Sequence, residues 1–153
     1  MNSATTVIPI NKVGSAILCV IDFSEASKDA LLAAVNIADE TKSSLTVLYP
    51  YRLNQPRNVT DVTQWKKSID VDATNNFNRM VNNLFKDSTK ESNVLWQFKP
   101  EVGFIGDRIE AYTKKHDVRL VVMSTQLSRS SNELFPEMLG KLKCPLLIVP
   151  EKK

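Results

Sequence analysis

The sequence predicts a single α/β domain, an open, Rossmann-like, three-layer fold with five parallel strands and four helices. Three observations carry the prediction. Ala16-Ile-Leu-Cys-Val-Ile21 is apolar at every position, and a strand apolar on both faces belongs inside a parallel sheet with helices above and below. Leu120-Val-Val-Met123 repeats that character, and Pro145-Leu-Leu-Ile-Val149 reads as a further strand. Between the first strand and the next strand-like run, Leu45-Thr-Val-Leu-Tyr49, lie about twenty residues of helical periodicity, the length of a βαβ crossover.

The elements follow in order. Residues 1–15 form a polar lead-in, 16–150 the domain and 151–153 a charged tail. Ser24 is a suitable helix N-cap, Glu25 sits by the positive helix end, and Asp22 offers a competing cap. The helix runs to about Thr41 and buries Ala30, Leu31, Ala34, Val35 and Ala38, its alanines allowing close approach to the sheet. Pro50 is expected to close the second strand. Residues 51–63 are then a long polar loop, a candidate lid or partner surface. Trp65, Ile69, Ala73, Phe77, Met80, Val81 and Leu84 mark a second helix, with Asn75, Asn76, Asn78, Asn82 and Asn83 on its solvated side.

Val94, Trp96 and Phe98 alternate as in a half-exposed edge strand, and Lys99-Pro-Glu-Val-Gly103 is expected to lead out of it. Ile105, Ile109 and Tyr112 define a third helix ending near His116. After the strand at 120–123, Ser124 to Asn132 reads as a polar loop. A short helix follows, with Pro136 in its first turn and Leu134, Met138 and Leu142 inward.

Composition narrows the function classes. The chain of 153 residues is 42% hydrophobic and 24% charged, with a net charge of +3 and both signs interspersed. Nucleic acid and anionic membrane are therefore not expected partners. No apolar run approaches the roughly 18 residues of a membrane span, and the first twelve residues lack a signal peptide's features, so the expected location is the cytoplasm. Cys19 and Cys144 lack metal-like spacing and read as small buried hydrophobes; no metal site is expected. The sequon Asn58-Val-Thr60 is a chance match in that setting.

Ile17-Leu-Cys-Val-Ile-Asp22-Phe-Ser-Glu25, the stretch from Val102-Gly103 through Ile109 with Leu120-Val-Val-Met-Ser124, and Lys143-Cys-Pro-Leu-Leu-Ile-Val-Pro150 together resemble the universal stress protein family. The resemblance implies strand order 3-2-1-4-5. It places the fifth strand at an edge and points to a homodimer joined through Leu146, Leu147, Ile148 and Val149. On that order the ligand crevice opens outside the carboxyl ends of strands one and four. Asp22, Phe23 and Ser24 stand on one side and Met123, Ser124 and Thr125 on the other, with Tyr49 and Tyr51 as a wall.

The ATP-binding branch of that family has a glycine-rich phosphate cradle after strand four. Glycines let backbone amides approach phosphate oxygens, and the next helix start adds positive potential. Here Ser124 and Leu127 occupy the two leading glycine positions, and no glycine occurs between Gly106 and Gly140. No ATP or other cofactor is therefore expected. Ser128 and Arg129, ahead of the short helix, are candidate anion ligands or simply solvated loop beside a cap at Ser131 or Asn132. Asp22 is either a cap or a ligand contact. His116, the single histidine, sits at a helix end, and no catalytic set converges. The expected function is a non-enzymatic stress-response protein, a dimeric interaction or sensing module for an unidentified protein partner or small ligand. The alternative is a nucleotide-binding switch or slow ATPase with a rearranged loop.

Overall fold

The computed structural model describes residues 16–53, 61–86, 94–130 and 135–151. Five strands, β1 (Ala16–Val20), β2 (Ser44–Tyr51), β3 (Trp96–Val102), β4 (Val118–Ser124) and β5 (Leu146–Val149), form one sheet in the order β3-β2-β1-β4-β5. Every pairing is parallel. The helices are α1 (Glu25–Thr41), α2 (Val62–Phe85), α3 (Ile105–Lys115), α4 (Thr125–Ser130) and α5 (Phe135–Lys141).

All five residues of β1 are buried, as a run apolar on both faces requires. Its side chains divide by parity. Ile17 and Cys19 join Leu31, Ala34, Ala38, Phe77 and Met80 in a core under α1 and α2. Leu18 and Val20 join Ile109, Tyr112 and Met138 under α3 and α5. Ser24 caps α1, accepting the Ser27 N–H at 3.2 Å. Lys42 supplies the left-handed residue that ends this helix, at φ 55°, and its N–H reaches the carbonyls of Ala38 and Asp39. In α2 the buried positions are Ala73, Phe77 and Met80, and the five asparagines are exposed.

Two strand ends differ from the sequence expectation, and both involve proline. β2 does not close at Pro50 but continues to Tyr51. Ile21 N–H donates to Leu48 O, and Gly103 N–H to Tyr51 O. Backbone direction alternates, so Pro50 faces the β1 side, beyond the last β1 pairing at Leu48, where no donor is needed. β3 likewise runs through Pro100 to Val102 instead of ending at Phe98. Leu45 N–H donates to Leu95 O, so odd-numbered residues of β3 face β2 and Pro100 faces the free edge. A proline there also blunts that edge.

The segment after β4 is also different: residues 125–130 form helix α4 rather than a loop. Ser124 Oγ accepts the Leu127 N–H at 3.0 Å and thereby starts the helix. Pro136 stands in the first turn of α5, and Met138 of the same helix is buried. Leu134, Ser131, Asn132 and most of the 51–63 loop lie outside the described residues.

Candidate functional site

The strand order reverses between β1 and β4, and the chain leaves β1 there through Ile21, Asp22 and Phe23. Asp22 is half-buried and organises this turn. Its Oδ1 accepts the Ser24 N–H at 3.0 Å and the Ser27 hydroxyl at 2.7 Å. In return, the Asp22 N–H donates to Ser27 Oγ at 3.0 Å. Of the two roles open to Asp22, capping is thus visible in Oδ1. Ser27, a partner that the sequence pattern does not single out, completes the knot.

Phe23 adopts φ 65°, a left-handed conformation that costs a bulky residue energy. That backbone carries its ring against Tyr49, centroid to centroid 4.8 Å, and within 6.2 Å of Phe98. Tyr49 stacks on Tyr51 at 5.7 Å. The four rings thus form one cluster, in which Phe98, a member that the sequence did not place here, also stacks on Phe77 of α2. Burial, and then the charge of Asp22, hold the Tyr49 phenol above its usual range. Tyr51 is held higher still, first by burial and then by its hydrogen bond to Asp70 at 2.6 Å.

Across the turn the arrangement is closed. Met123 and Ser124 are fully buried, so neither side chain faces solvent. The Ser124 hydroxyl is committed to Leu127 N–H, and Thr125 Oγ1 donates to Val149 O at 3.4 Å. Ser128, expected in an anion-friendly loop, lies inside α4 and donates to Thr125 O at 2.7 Å. Arg129 is also in α4 and is exposed. The structure thus brings Asp22, Phe23, Ser24 and Tyr49 together and turns Ser124, Thr125 and Ser128 to backbone capping. What remains for a ligand is an aromatic surface beside a carboxylate.

Among the described residues no group of three His, Cys, Asp or Glu side chains is placed to hold a metal ion. Cys19 is fully buried, and desolvation pushes its thiol up to about 12. No helix among the described residues is long and apolar enough to cross a membrane.

Solved structures share this architecture. Universal stress protein UspA from Lactobacillus plantarum superposes with a TM-score of 0.64 at 20% identity, covering 89% of this chain and 97% of its own. A universal stress protein in complex with cAMP gives 0.61 at 17% identity, with coverages of 92% and 100%. The universal stress protein from Archaeoglobus fulgidus in complex with dAMP gives 0.60 at 14% identity, with coverages of 88% and 96%. At these identities the likeness establishes the fold alone. No curated protein matches the chain at a significant level. The family model described as "Universal stress protein family" matches residues 15–150, and by that match, over the whole sheet and its helices, the chain belongs to the universal stress protein family.

Proposed function

We propose that this universal stress protein is a non-enzymatic, cytoplasmic stress-response module that senses or docks as a homodimer and does not turn over ATP. One observation carries the reading: Ser124 Oγ holds the Leu127 N–H at 3.0 Å, so β4 passes directly into α4. A phosphate cradle needs backbone amides free to face the ligand and glycines that let it approach. Here the leading amide is already bonded inside the protein, and neither leading position is glycine. The homodimer reading rests on β5, an edge strand whose four apolar residues are all half-buried.

A second reading, nucleotide binding in the crevice, is favoured by the aromatic wall of Phe23 and Tyr49 beside Asp22. A flat ring could rest on that wall, and two solved relatives carry cAMP and dAMP. A melting-temperature screen with ATP, ADP, AMP and cyclic nucleotides separates the two, because a ligand that binds only the folded state raises the midpoint. The first reading expects no shift with ATP. A shift of several degrees that Asp22→Ala removes would install the second.

A further inference from the structure

The opposite face of the sheet carries a feature that the crevice does not explain. On β3, Phe98 packs under α2 against Phe77, so its neighbours Lys99 and Glu101 point to the α3 side. There they meet Arg108, Tyr112, Lys115 and His116 of α3 and its C-cap around a hollow of ≈ 90 Å³. We propose that this hollow is a binding site for a small dianionic oxyanion, a phosphate group either free or at the end of a small phosphorylated molecule.

Charge is the first argument. Three permanent cations, Lys99, Arg108 and Lys115, line the hollow against one carboxylate, Glu101, leaving a surplus of two positive charges. Among the described residues none of the three cations has a carboxylate within ion-pair distance, whereas Lys28, Lys66, Lys114 and Lys141 all do.

Arg108 supplies the second argument. Its Nε is buried and has no hydrogen-bond partner among the described residues. A buried N–H of a cation left unmet is costly, and such groups in native proteins call for an acceptor. The side chain lies folded over Gly103, which has φ +142°; a Cβ at that glycine would stand 2.9 Å from Arg108 Nε. Only a bare Cα admits the arginine in this pose.

The floor is fixed. Tyr112 OH is hydrogen-bonded to Thr46 at 2.7 Å, His116 stacks on the Tyr112 ring at 4.2 Å, and Lys99 Nζ stands 5.6 Å from its centroid. Lys99 is thus held beside a fixed ring and Arg108 against Gly103, while Lys115 stands exposed at the rim. Size selects the ligand. At ≈ 90 Å³ the hollow is well below the roughly 300 Å³ at which pockets for drug-sized ligands begin, which suits a phosphate group and not a whole nucleotide.

The test follows the Arg108 Nε–H signal by nitrogen–proton NMR, near neutral pH and at constant ionic strength. The titrants are inorganic phosphate, glycerol 3-phosphate, acetate and chloride. A saturable shift with phosphate is expected, with acetate binding at least about tenfold more weakly. Comparable or tighter binding of glycerol 3-phosphate identifies a phosphorylated small molecule as the ligand class, and weaker binding identifies free phosphate. Arg108→Gln and Lys99→Gln, followed through the backbone amide signals, should each weaken binding about tenfold, and Glu101→Gln should tighten it. A shift that never saturates, one that chloride reproduces, or a Lys99→Gln protein that binds phosphate like the wild type overturns the proposal.

Discussion

Tyr51, the last residue of β2, donates its phenolic hydrogen to Asp70 Oδ1 of α2 across 2.6 Å, while Lys66 bonds the other carboxylate oxygen at 2.9 Å. The buried residues of α2, Ala73, Phe77 and Met80, all follow Asp70. The first half of this helix is therefore held to the sheet largely by a polar link, beside the ring stack that walls the crevice.

Tyr51→Phe should lower stability at neutral pH by about 1.5–3 kcal/mol, the range for a hydrogen bond to a charged group. The pH dependence has a definite sign. Burial, and then Asp70, raise the phenol of folded Tyr51 above its ordinary value of 10.0, so folding favours the protonated form. That contribution is complete below pH 10 and is lost as pH rises through the folded value. Denaturant midpoints of the two proteins should thus stay parallel up to about pH 9 and converge above about 10. A constant gap through the alkaline range would show that the bond is not made.

Ser124→Ala should cost about 1–2 kcal/mol, because it strips the cap from α4 at a fully buried position. Ser128→Ala, within the same short helix, should stay within about 0.5 kcal/mol. Equal effects at the two positions would mean that α4 is not set by Ser124.

The same serine marks where the sequence was and was not legible. The run at Ala16–Val20 is read correctly because burial on both faces leaves one interpretation, and the edge position of β5 follows from the strand order. Helix α4 is hidden because Ser, Thr, Gln and Arg favour a loop by composition. Its cause is a hydroxyl three residues before the amide it caps, a signal that any serine in a loop could imitate. Pro50 and Pro100 read as strand ends because a proline's missing donor matters only if it faces a neighbour, and that depends on the register. At the turn after β1, Asp22, Phe23 and Tyr49 are singled out from topology, whereas Ser27 and Phe98 enter only through packing. The hollow at Arg108 has no local motif at all: Lys99 and Glu101 come from a strand, and Arg108 and Lys115 from the helix after it.

The two cysteines should separate by reactivity. Cys19 is fully buried with its thiol pushed up to about 12, while Cys144 is half-buried and raised less by the same cause. A thiol reagent applied to the native protein should label Cys144 and spare Cys19 until denaturant is added. Rapid labelling of both would place Cys19 outside the sheet.

Ile148→Pro tests the proposal that two copies pair through β5. Val121 N–H donates to Pro145 O, so Leu147 and Val149 face β4, and the backbone groups of Leu146 and Ile148 face outward. Proline at 148 therefore removes an edge donor without breaking the ladder to β4. Sedimentation at micromolar concentration should show twice the chain mass for the wild type and a folded monomer for the variant. A variant that stays dimeric would exclude pairing through this edge.

Calorimetric titration with Mg-ATP tests the central claim, that the β4–α4 junction offers no phosphate cradle, most directly. The protein should give no saturable heat up to millimolar nucleotide, and Asp22→Ala should behave identically. Saturable binding with a micromolar dissociation constant, lost on Asp22→Ala, would contradict the account.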